Sequence, residues 1–446
     1  MHSFAFTQDK TEEDEFAPSP VVREMAVALA YGDSVASKNT AGVGRPVSED
    51  GIGKACGAKG RVPGKPALPW LGQIIPSLER MLAEGEVSEG ISEESGEKAR
   101  RETYGETSVE ATAKAARQVV LIVVDGLGYQ ALTESWAYVP TLRGFREETQ
   151  QALTCIPSTT AAALTTLATG KNPGATQMVG YSVYYRKNLM NLLAFRQDVD
   201  ARKWQSCPTR FEEMGEQGVT STIVTHGKFA ESGLTRAAFR GAKFLGRKTL
   251  TDRFVGALRE LRAGTQFVYV YWSEIDHAGH AYGCQSPEWL AEVENFDRAL
   301  GQFLREIPGG VPVFLTADHG MTNVGVHLDL AEIPALAEGV TAIAGEGRCI
   351  HLHCPPKSTP ADQEKVLERW QDFLGDIARV VPARETANYL GEGAGNHLIG
   401  AGLVFLADAE TVIVDSRTQS PGSIALTGVH GSITPAEMLI PIIRLA

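Results

Sequence analysis

Residues 119–128 read V-V-L-I-V-V-D-G-L-G, and this stretch decides the fold class. A run of apolar, mostly β-branched residues is typical of a strand that is buried on both faces, as in a parallel sheet covered by helices. Asp125 then stands at the carboxyl end of the strand, where open α/β sheets bind their ligands. The stretch therefore predicts an α/β fold, with a mostly parallel central sheet and helices on both faces. It also makes Asp125 a candidate metal ligand.

The same stretch fits a second, different motif. Residues 126–131 read G-L-G-Y-Q-A and follow a predicted strand, which is the relaxed form of a dinucleotide-binding fingerprint. However, Asp125 stands directly before the first glycine, and its negative charge would repel a pyrophosphate. The metal-ligand interpretation is therefore favoured over the dinucleotide one.

The length and charge of the chain restrict its class. A chain of 446 residues suits one large α/β domain with additions, or two domains. The formal net charge of −12 argues against a nucleic acid polymer as partner, because like charges repel. The cysteines form no C-x-x-C pair, and neither a secretory signal nor a long apolar span is recognisable. These features predict a cytoplasmic protein with reduced thiols that does not enter a membrane.

Composition divides the chain into three regions. Residues 1–65 mix acidic runs with Gly, Ser, Pro and Lys and are predicted to form a disordered tail. Residues 66–117 combine an amphipathic helix over 68–82, which would dock on the main body, with a charged linker. Residues 118–446 carry alternating strand and helix patterns, and a smaller α/β cap lobe is predicted within them at about 327–423.

A hydroxyl-rich helix start lies in residues 155–170, which read C-I-P-S-T-T-A-A-A-L-T-T-L-A-T-G. The alanines and leucines favour a helix that begins among Ser158, Thr159 and Thr160 and ends at Gly170. A hydroxyl at this helix end faces unpaired backbone N–H groups and the positive pole of the helix, which favour an alkoxide or a phosphate oxygen. Helix capping is the simpler role for such residues, so only the company of further motifs makes one of them a candidate nucleophile.

Residues that can bind metal ions follow two further apolar strands. The strand F-V-Y-V-Y-W leads into D-H-A-G-H, in which Asp276 and His280 are four residues apart. The strand V-P-V-F-L-T-A leads into Asp318 and His319, and a fourth segment, T-G-V-H-G-S, places His430 in a glycine-flanked loop. Carboxylate and imidazole ligands together suit Zn²⁺ or a similar transition metal. The recurrence of these residues after separate strands predicts two metal sites.

Other polar residues are less informative. The most basic patch of this acidic chain lies at 228–248, and solvated surface is its simplest interpretation. Lys228 and Arg236 within the patch are nevertheless candidates to contact an anionic substrate. The histidines of the predicted cap lobe are interpreted as structural; they are His351, His353 and His397.

Five motifs, in this order, resemble those of the alkaline phosphatase superfamily, and most closely its type I phosphodiesterase and nucleotide pyrophosphatase branch. They are V-D-G, P-S-T-T followed by T-G-x-x-P, D-H-A-G-H, A-D-H-G-M, and H-G-S with P-A-E-M behind it. The motifs extend from Val119 to Pro441, and residues 1 to about 117 lie outside the resemblance. The resemblance implies an alkaline-phosphatase-like fold and a metal-dependent hydrolase of small phosphoric esters.

The resemblance also implies roles for the candidate residues. One divalent metal would be held by Asp276, His280 and His430. The other would be held by Asp125, Asp318, His319 and the Thr160 oxygen. Thr160, three residues after Pro157, would be the nucleophile, and its attack on phosphorus would give a covalent phospho-threonine. Zn²⁺ is the expected metal, with Mn²⁺ or iron as alternatives.

Two departures from the family pattern concern the substrate. Many members of the branch carry an Asn 21 residues after the nucleophile, and this chain has Tyr181 there, a candidate substrate contact with one hydroxyl to donate. C-I-P-S-T resembles the sulfatase core C-x-P-S-R but lacks its arginine. The preferred function is a phosphodiesterase or nucleotide pyrophosphatase. The open alternatives are a phosphomonoesterase or phosphonate hydrolase on the same metal core, or a nucleotide-binding protein without turnover.

Overall fold

The computed structural model describes residues 17–23, 25, 68–84, 118–393 and 395–446. The strands of this part of the chain are β1 Val119–Val124, β2 Gln150–Leu153, β3 Ser182–Tyr185, β4 Asn188–Asn191, β5 Ser221–Thr225, β6 Lys243–Gly246, β7 Phe267–Trp272, β8 Val313–Thr316, β9 Thr322–Asn323, β10 Val326–Asp329, β11 Ala342–Glu346, β12 Cys349–His353, β13 Ala378–Pro382, β14 Gly402–Leu406, β15 Thr411–Val414, β16 Gly428–Val429 and β17 Leu439–Arg444.

The α-helices of the same residues are α1 Ile74–Glu84, α2 Tyr129–Glu134, α3 Pro140–Arg143, α4 Thr160–Thr169, α5 Pro173–Thr176, α6 Ala201–Trp204, α7 Arg210–Glu216, α8 Gly233–Ala238, α9 Leu250–Arg262, α10 Glu274–Tyr282, α11 Pro287–Glu306, α12 Pro334–Ala337, α13 Pro360–Leu374, α14 Ala387–Leu390, α15 Asn396–Ile399, α16 Pro421–Ile424 and α17 Pro435–Met438. None of these helices combines the length and the apolar composition that crossing a bilayer requires.

A seven-stranded sheet organises the molecule, with the strand order β2-β17-β8-β1-β7-β5-β6. The strands β8, β1, β7, β5 and β6 pair in parallel, and β17 pairs antiparallel with both of its neighbours. Every residue of β1 and of β7 is buried. Because neighbouring side chains in a strand point to opposite faces, such strands need cover on both faces of the sheet. The predicted α/β fold with a mostly parallel central sheet is therefore confirmed.

A second, antiparallel sheet packs beside the first. Its order is β13-β14-β12-β11-β3-β4, and α13 covers it through a separate apolar core that includes Trp370, Leu352 and Val404. Four of its strands come from the predicted cap lobe, whereas β3 and β4 come from residues 182–191, before that lobe begins. The predicted limits of the lobe at 327 and 423 stay predictions.

The segments before residue 118 differ in how far they can be compared with the predictions. The predicted docking helix is present, because a short 3₁₀ turn leads into α1, and Ile75 and Leu78 are buried in the main core. Within the predicted disordered tail, however, Val22 is also buried in that core, and Asn172 donates a hydrogen bond to the carbonyl of Ala17. Residues 17–23 thus contact the main body, and the predicted limit of the tail at residue 65 stays a prediction. The rest of the tail and the charged linker lie outside the described residues.

Buried histidines in the second sheet predict a loss of stability in acid. Burial lowers the pKa of His351 to about 4, although its ring nitrogens face the carbonyls of Val179 and Leu398. In the unfolded chain this histidine takes up a proton near its ordinary pKa of 6.5. Its contribution to the free energy of unfolding is therefore fully present above pH 6.5 and is lost as the pH falls towards 4. His351→Gln should remove up to about 3 kcal/mol of that loss, measured as the pH dependence of the unfolding free energy. His397→Gln, at an exposed position, is the control and should leave the dependence as in the wild type; equal slopes in all three proteins would contradict the prediction.

Candidate active site

The carboxyl edge of the central sheet brings the predicted metal ligands together. Asp125 directly follows β1, Asp318 follows β8 after one residue, and Asp276 lies in the first turn of α10, which follows β7. Because β1 lies between β8 and β7 in the sheet, the three carboxylates meet at one edge. All three are buried.

The first predicted ligand group is Asp276, His280 and His430. Asp276 and His280 are one turn apart on α10, and His280 Nε2 lies 3.4 Å from Asp276 Oδ2. His430 arrives from the segment after β16, and its Nε2 lies 3.7 Å from Asp276 Oδ1. One ligand atom from each of the three residues lies within 4.8 Å of the others. This separation is small enough for a single cation to contact all three.

The second predicted group lies directly beside the first. His319 Nε2 is 3.4 Å from Asp125 Oδ1 and 3.6 Å from Asp318 Oδ2. The other oxygen of Asp318 accepts hydrogen bonds from the backbone N–H of Gly126 and of His319. Ligand atoms of Asp125, His319 and Asp276 also lie within 4.8 Å of one another. Asp276 therefore faces both groups, although the sequence assigned it to the first group alone.

The backbone orients all three imidazoles in the same way. Each Nδ1 lies within hydrogen-bond distance of a carbonyl: His280 faces Gly428 at 2.7 Å, His319 faces Gly320 at 3.1 Å and His430 faces Ser158 at 3.0 Å. Since a carbonyl can only accept, each Nδ1 carries a hydrogen, and in the neutral tautomer this leaves the lone pair on Nε2. Those Nε2 atoms are the ones that face the carboxylates, which is the arrangement of imidazoles that bind a metal.

The buried carboxylates need a positive partner that the described side chains do not supply. Asp125 Oδ1, Asp276 Oδ1 and Asp318 Oδ2 are buried without a hydrogen-bond partner in this part of the chain. Burial raises the pKa of Asp125 well above its ordinary value, and the charges of Asp318 and Asp276 raise it further. Burial lowers the pKa of His430 well below its ordinary value, with help from the two neighbouring imidazoles. A neutral imidazole beside unpartnered carboxylate oxygens fits a divalent cation.

Thr160 lies at the entrance to these ligand groups. It is the first residue of α4, its Oγ1 lies 3.1 Å from His319 Nε2, and it is half-buried, whereas its neighbours Ser158 and Thr159 are buried. Thr159 takes the N-cap position without a side-chain capping bond, and Gly170, with φ 69°, ends the helix as predicted. Of the three hydroxyls, Thr160 is therefore the one that both reaches the ligand groups and stays accessible.

Ser158 ties the start of α4 to the segment that carries His430. Its hydroxyl donates to the carbonyl of Ser432 at 2.7 Å and accepts from the N–H of Gly431 at 3.2 Å. The carbonyl of Ser158 in turn accepts from His430. Two segments that are far apart in sequence are thus held in register at the position of the candidate nucleophile.

A family model for type I phosphodiesterase / nucleotide pyrophosphatase matches residues 119–432, which is more than half of the chain and includes every one of these ligands. The chain belongs to this family. As a member of the type I phosphodiesterase / nucleotide pyrophosphatase family, it is a hydrolase of phosphoric esters, and the resemblance seen in its motifs is confirmed.

Solved structures of the superfamily share the fold. The murine ectonucleotide pyrophosphatase / phosphodiesterase 5, as an inactive variant in complex with AMP, is 14% identical with a TM-score of 0.58, covering 73% of this chain and 87% of its own. The human counterpart is 15% identical with a TM-score of 0.54, at the same coverage of 73% and 87%. Phosphonoacetate hydrolase from Sinorhizobium meliloti 1021, in complex with phosphonoformate, is 17% identical with a TM-score of 0.58, covering 74% and 89%. The expected alkaline-phosphatase-like fold is thereby confirmed.

The glycines of the V-D-G-L-G stretch have a packing role in this family member. A Cβ atom on Gly128 would lie 2.6 Å from the Cα of Gly320, and one on Gly320 would lie 1.9 Å from the carbonyl oxygen of Ala436. Three chain segments therefore touch through their backbones directly behind the ligand groups. The space around Gly128 is thus occupied by protein backbone, which leaves no room there for a pyrophosphate. This agrees with the preference for the metal-ligand interpretation over a dinucleotide site.

A cavity of about 750 Å³ opens from the ligand groups. The candidate substrate contact Tyr181 lines it, with 43% of the residue exposed. Lys228 and Arg236 are not among its lining residues and are exposed; the ammonium of Lys228 lies 4.9 Å from the centre of the Phe229 ring. The structure thus brings together Thr160, the six other candidate ligands and Tyr181, but it does not bring the two basic residues to the same place.

Two residues of the site escaped the sequence analysis. Tyr271 donates a hydrogen bond to Asp125 Oδ2, and a tyrosine in an otherwise apolar buried strand was the available signal. Glu346 ends β11 and lines the cavity, with its Oε2 3.7 Å from His430 Nδ1. Burial raises the pKa of Glu346 to about 8, against the opposing effect of a hydrogen bond from Thr159. Nothing in A-G-E-G-R signals that this carboxylate reaches the site, because it comes from the second sheet.

Proposed function

We propose that this protein is a phosphodiesterase, of the nucleotide pyrophosphatase type, that acts through a covalent phospho-threonine at Thr160. The observation that carries the proposal is the position of the Thr160 hydroxyl, 3.1 Å from His319 and beside two ligand groups that share Asp276. A hydroxyl alone is a weak nucleophile and needs a neighbouring base or cation to attack phosphorus.

We infer two divalent metal ions at this site, with Zn²⁺ as the first choice and Mn²⁺ or iron as alternatives. The ligands of one would be Asp276, His280 and His430. The ligands of the other would be Asp125, Asp318, His319 and the Thr160 oxygen, with Asp276 within reach of both. When bound, such a pair favours ionisation of a nearby hydroxyl and neutralises the charge that develops on the phosphoryl group and on the leaving oxygen.

The protein's own residues would place the reacting atoms. The first N–H groups of α4 have no partner within the helix and offer donors to a phosphoryl oxygen. The Thr160 oxygen forms a bond to phosphorus while the opposite ester bond breaks, and the alcohol leaves. Water then attacks the phospho-threonine, the Thr160–phosphorus bond breaks, and the hydroxyl is restored. Tyr271 keeps Asp125 in place through its hydrogen bond during both steps.

The test uses the purified full chain, stripped with a chelator and reloaded separately with Zn²⁺, Mn²⁺ and Fe²⁺. Release of p-nitrophenolate is measured from bis-p-nitrophenyl phosphate and from p-nitrophenyl phosphate, and phosphate release is measured from phosphonoacetate. We expect the diester to react with the highest kcat/KM. A preference for the monoester or the phosphonate would replace the proposal by one of those activities. The absence of turnover with all three metals, together with retained nucleotide binding, would point to a binding protein.

Metal content gives a separate prediction, because Asp276 faces both ligand groups. Asp276→Asn should lower the metal content by more than His280→Gln does, since the latter removes a ligand from one group alone. Elemental analysis of the purified variants measures this directly. His397→Gln, at an exposed position, serves as the control and should match the wild type. Equal losses for Asp276→Asn and His280→Gln would show that Asp276 serves a single ion.

The location of the protein in the cell and the exclusion of nucleic acid polymers stay predictions from the sequence. The nucleotide and the phosphonate seen in the related structures are ligands of those proteins.

A further inference from the structure

The charge distribution of the cavity limits what can lie beside the phosphoryl group. Of the described residues that line it, none is a lysine or an arginine, and the charged side chains other than histidine are Asp125, Asp276 and Glu346. A single phosphoryl group at the ligand groups would be neutralised by the metals. A second or third phosphate farther along the cavity would meet no lysine or arginine among the described lining residues.

One wall of the cavity is apolar, and we name it the apolar arm. It is formed by Leu164, Leu193, Ile223, Leu234, Phe239 and Phe244. These residues come from α4, β5, α8, β6 and the loops that follow β4 and α8. Contact with such a wall favours a ligand group that loses little hydration when it leaves water.

The apolar arm is continuous with the position of the nucleophile. Leu164 lies one turn after Thr160 on the same helix, so the arm begins directly beside the attacking oxygen. Another lining residue, Phe229, packs its ring 6.2 Å from that of Tyr271, whose hydroxyl binds Asp125. In-line attack places the leaving group on the side of phosphorus opposite Thr160. The arm is therefore placed to hold the ester group that stays on phosphorus.

The outer end of the cavity has the same apolar character. Tyr181 and Leu189 line it at the β3–β4 hairpin and are 43% and 40% exposed. Deeper in the cavity, the hydroxyls of Tyr269 and Thr225 are buried and have no hydrogen-bond partner among the described residues. A ligand that fills the cavity would cover the exposed side chains of Tyr181 and Leu189.

We propose that the preferred substrate is a phosphodiester whose retained ester group is an uncharged alkyl or aryl chain, bound by the apolar arm. This inference rests on the phosphodiesterase activity proposed above. The alcohol that leaves is replaced by Thr160 and then by water, so the product is the phosphomonoester of the apolar alcohol.

The first experiment varies the retained group and keeps the leaving group constant. Rates of p-nitrophenolate release are measured for the methyl, butyl and hexyl esters of p-nitrophenyl phosphate and for thymidine 5′-phosphate p-nitrophenyl ester. We expect kcat/KM to rise by about fourfold for each added methylene until the chain fills the arm. Equal rates for the methyl and hexyl esters, or a preference for the nucleoside ester over the hexyl ester, would overturn the apolar arm but leave the phosphodiesterase proposal standing. No release from any of these diesters would refute the phosphodiesterase proposal itself.

The second experiment changes the arm. Phe244→Ser, at a half-buried position, should lower the ratio of kcat/KM for the hexyl ester to kcat/KM for the methyl ester, because it removes part of the apolar wall that the longer chain contacts. Val255→Ser is the matched control, since Val255 is apolar, exposed and not part of the cavity lining. An unchanged dependence in Phe244→Ser would count against the arm. Competition by hexylphosphonate and methylphosphonate in the wild type tests the same point without a variant, and equal inhibition constants would refute it.

Discussion

Thr160→Ala is expected to abolish turnover of bis-p-nitrophenyl phosphate, with kcat/KM reduced by a factor of about 10⁴ to 10⁶, as when other hydroxyl nucleophiles are removed. The variant loses the only protein atom that the proposed reaction bonds to phosphorus, while the carboxylates and imidazoles of both ligand groups remain. We therefore expect metal ions to be retained, and elemental analysis on the same samples checks this. Incubation of the wild type with bis-p-nitrophenyl phosphate, followed by acid quench and mass spectrometry, should show a p-nitrophenyl phosphoryl group on Thr160, because one ester bond stays intact in the first step.

Two neighbouring variants make this result specific. Thr160→Ser keeps a hydroxyl at the start of α4 and should recover part of the lost rate. Thr159→Ala removes the adjacent buried hydroxyl, which touches Glu346 and does not reach His319, so its effect should be much smaller. Full activity in Thr160→Ala, or a larger loss in Thr159→Ala than in Thr160→Ala, would remove Thr160 from its role.

The second large effect is expected at Arg348. This fully buried guanidinium, in the turn between β11 and β12, donates to Glu437 Oε1 at 3.0 Å and to Oε2 at 2.7 Å. It also donates to the carbonyls of Thr411 and Asp408. Arg348→Met would leave the Glu437 carboxylate buried without its cation, and the free energy of unfolding should fall by about 3 to 5 kcal/mol. Denaturant unfolding of the metal-loaded proteins measures the change.

A double variant separates the lost pair from lost packing. Glu437 accepts hydrogen bonds from the N–H of Ser432 and from the hydroxyl of Thr434, and its carbonyl accepts from Gly320. Arg348→Met combined with Glu437→Gln removes the uncompensated charge but keeps most of these bonds, so it should be more stable than Arg348→Met alone. A double variant no more stable than the single one would mean that the guanidinium acts through its packing and its backbone contacts, not through the ion pair.

The features of this protein that could be predicted are those that a short stretch of sequence determines by itself. The strand predicted at 267–272 is β7, and the apolar run before Asp125 is β1. A buried parallel strand delivers the residue that follows it to the carboxyl edge of the sheet, so Asp125 and Asp318 could be expected to meet without knowledge of the strand order. His430 was placed there only through the resemblance, because a loop histidine has no periodicity to locate it.

The parts that could not be predicted depend on contacts between distant segments. Glu346 belongs to the second sheet, and no pattern tells which of its turns faces the first. The basic patch shows the converse, because neighbours in sequence such as Lys228 and Arg236 need not point to the same cavity. Pro441 lies within the strand L-I-P-I-I-R, although proline has no N–H to donate to a ladder. It is tolerated because the pairing of β17 with β8 covers only residues 442–444, so Pro441 has a single ladder neighbour, Gln151 of β2.

The position of β17 determines how late in synthesis the central sheet can be completed. This strand occupies the interior of the central sheet, between β2 and β8, yet it comes from residues 439–444 and follows His430 by only a few positions. During synthesis, β2 and β8 therefore lack their shared partner strand until residue 444 has left the exit tunnel. The candidate metal ligand His430 is also among the last residues to be made. We therefore expect hydrolase activity only after residues 119–444, which include all of the family-matched stretch, have been made.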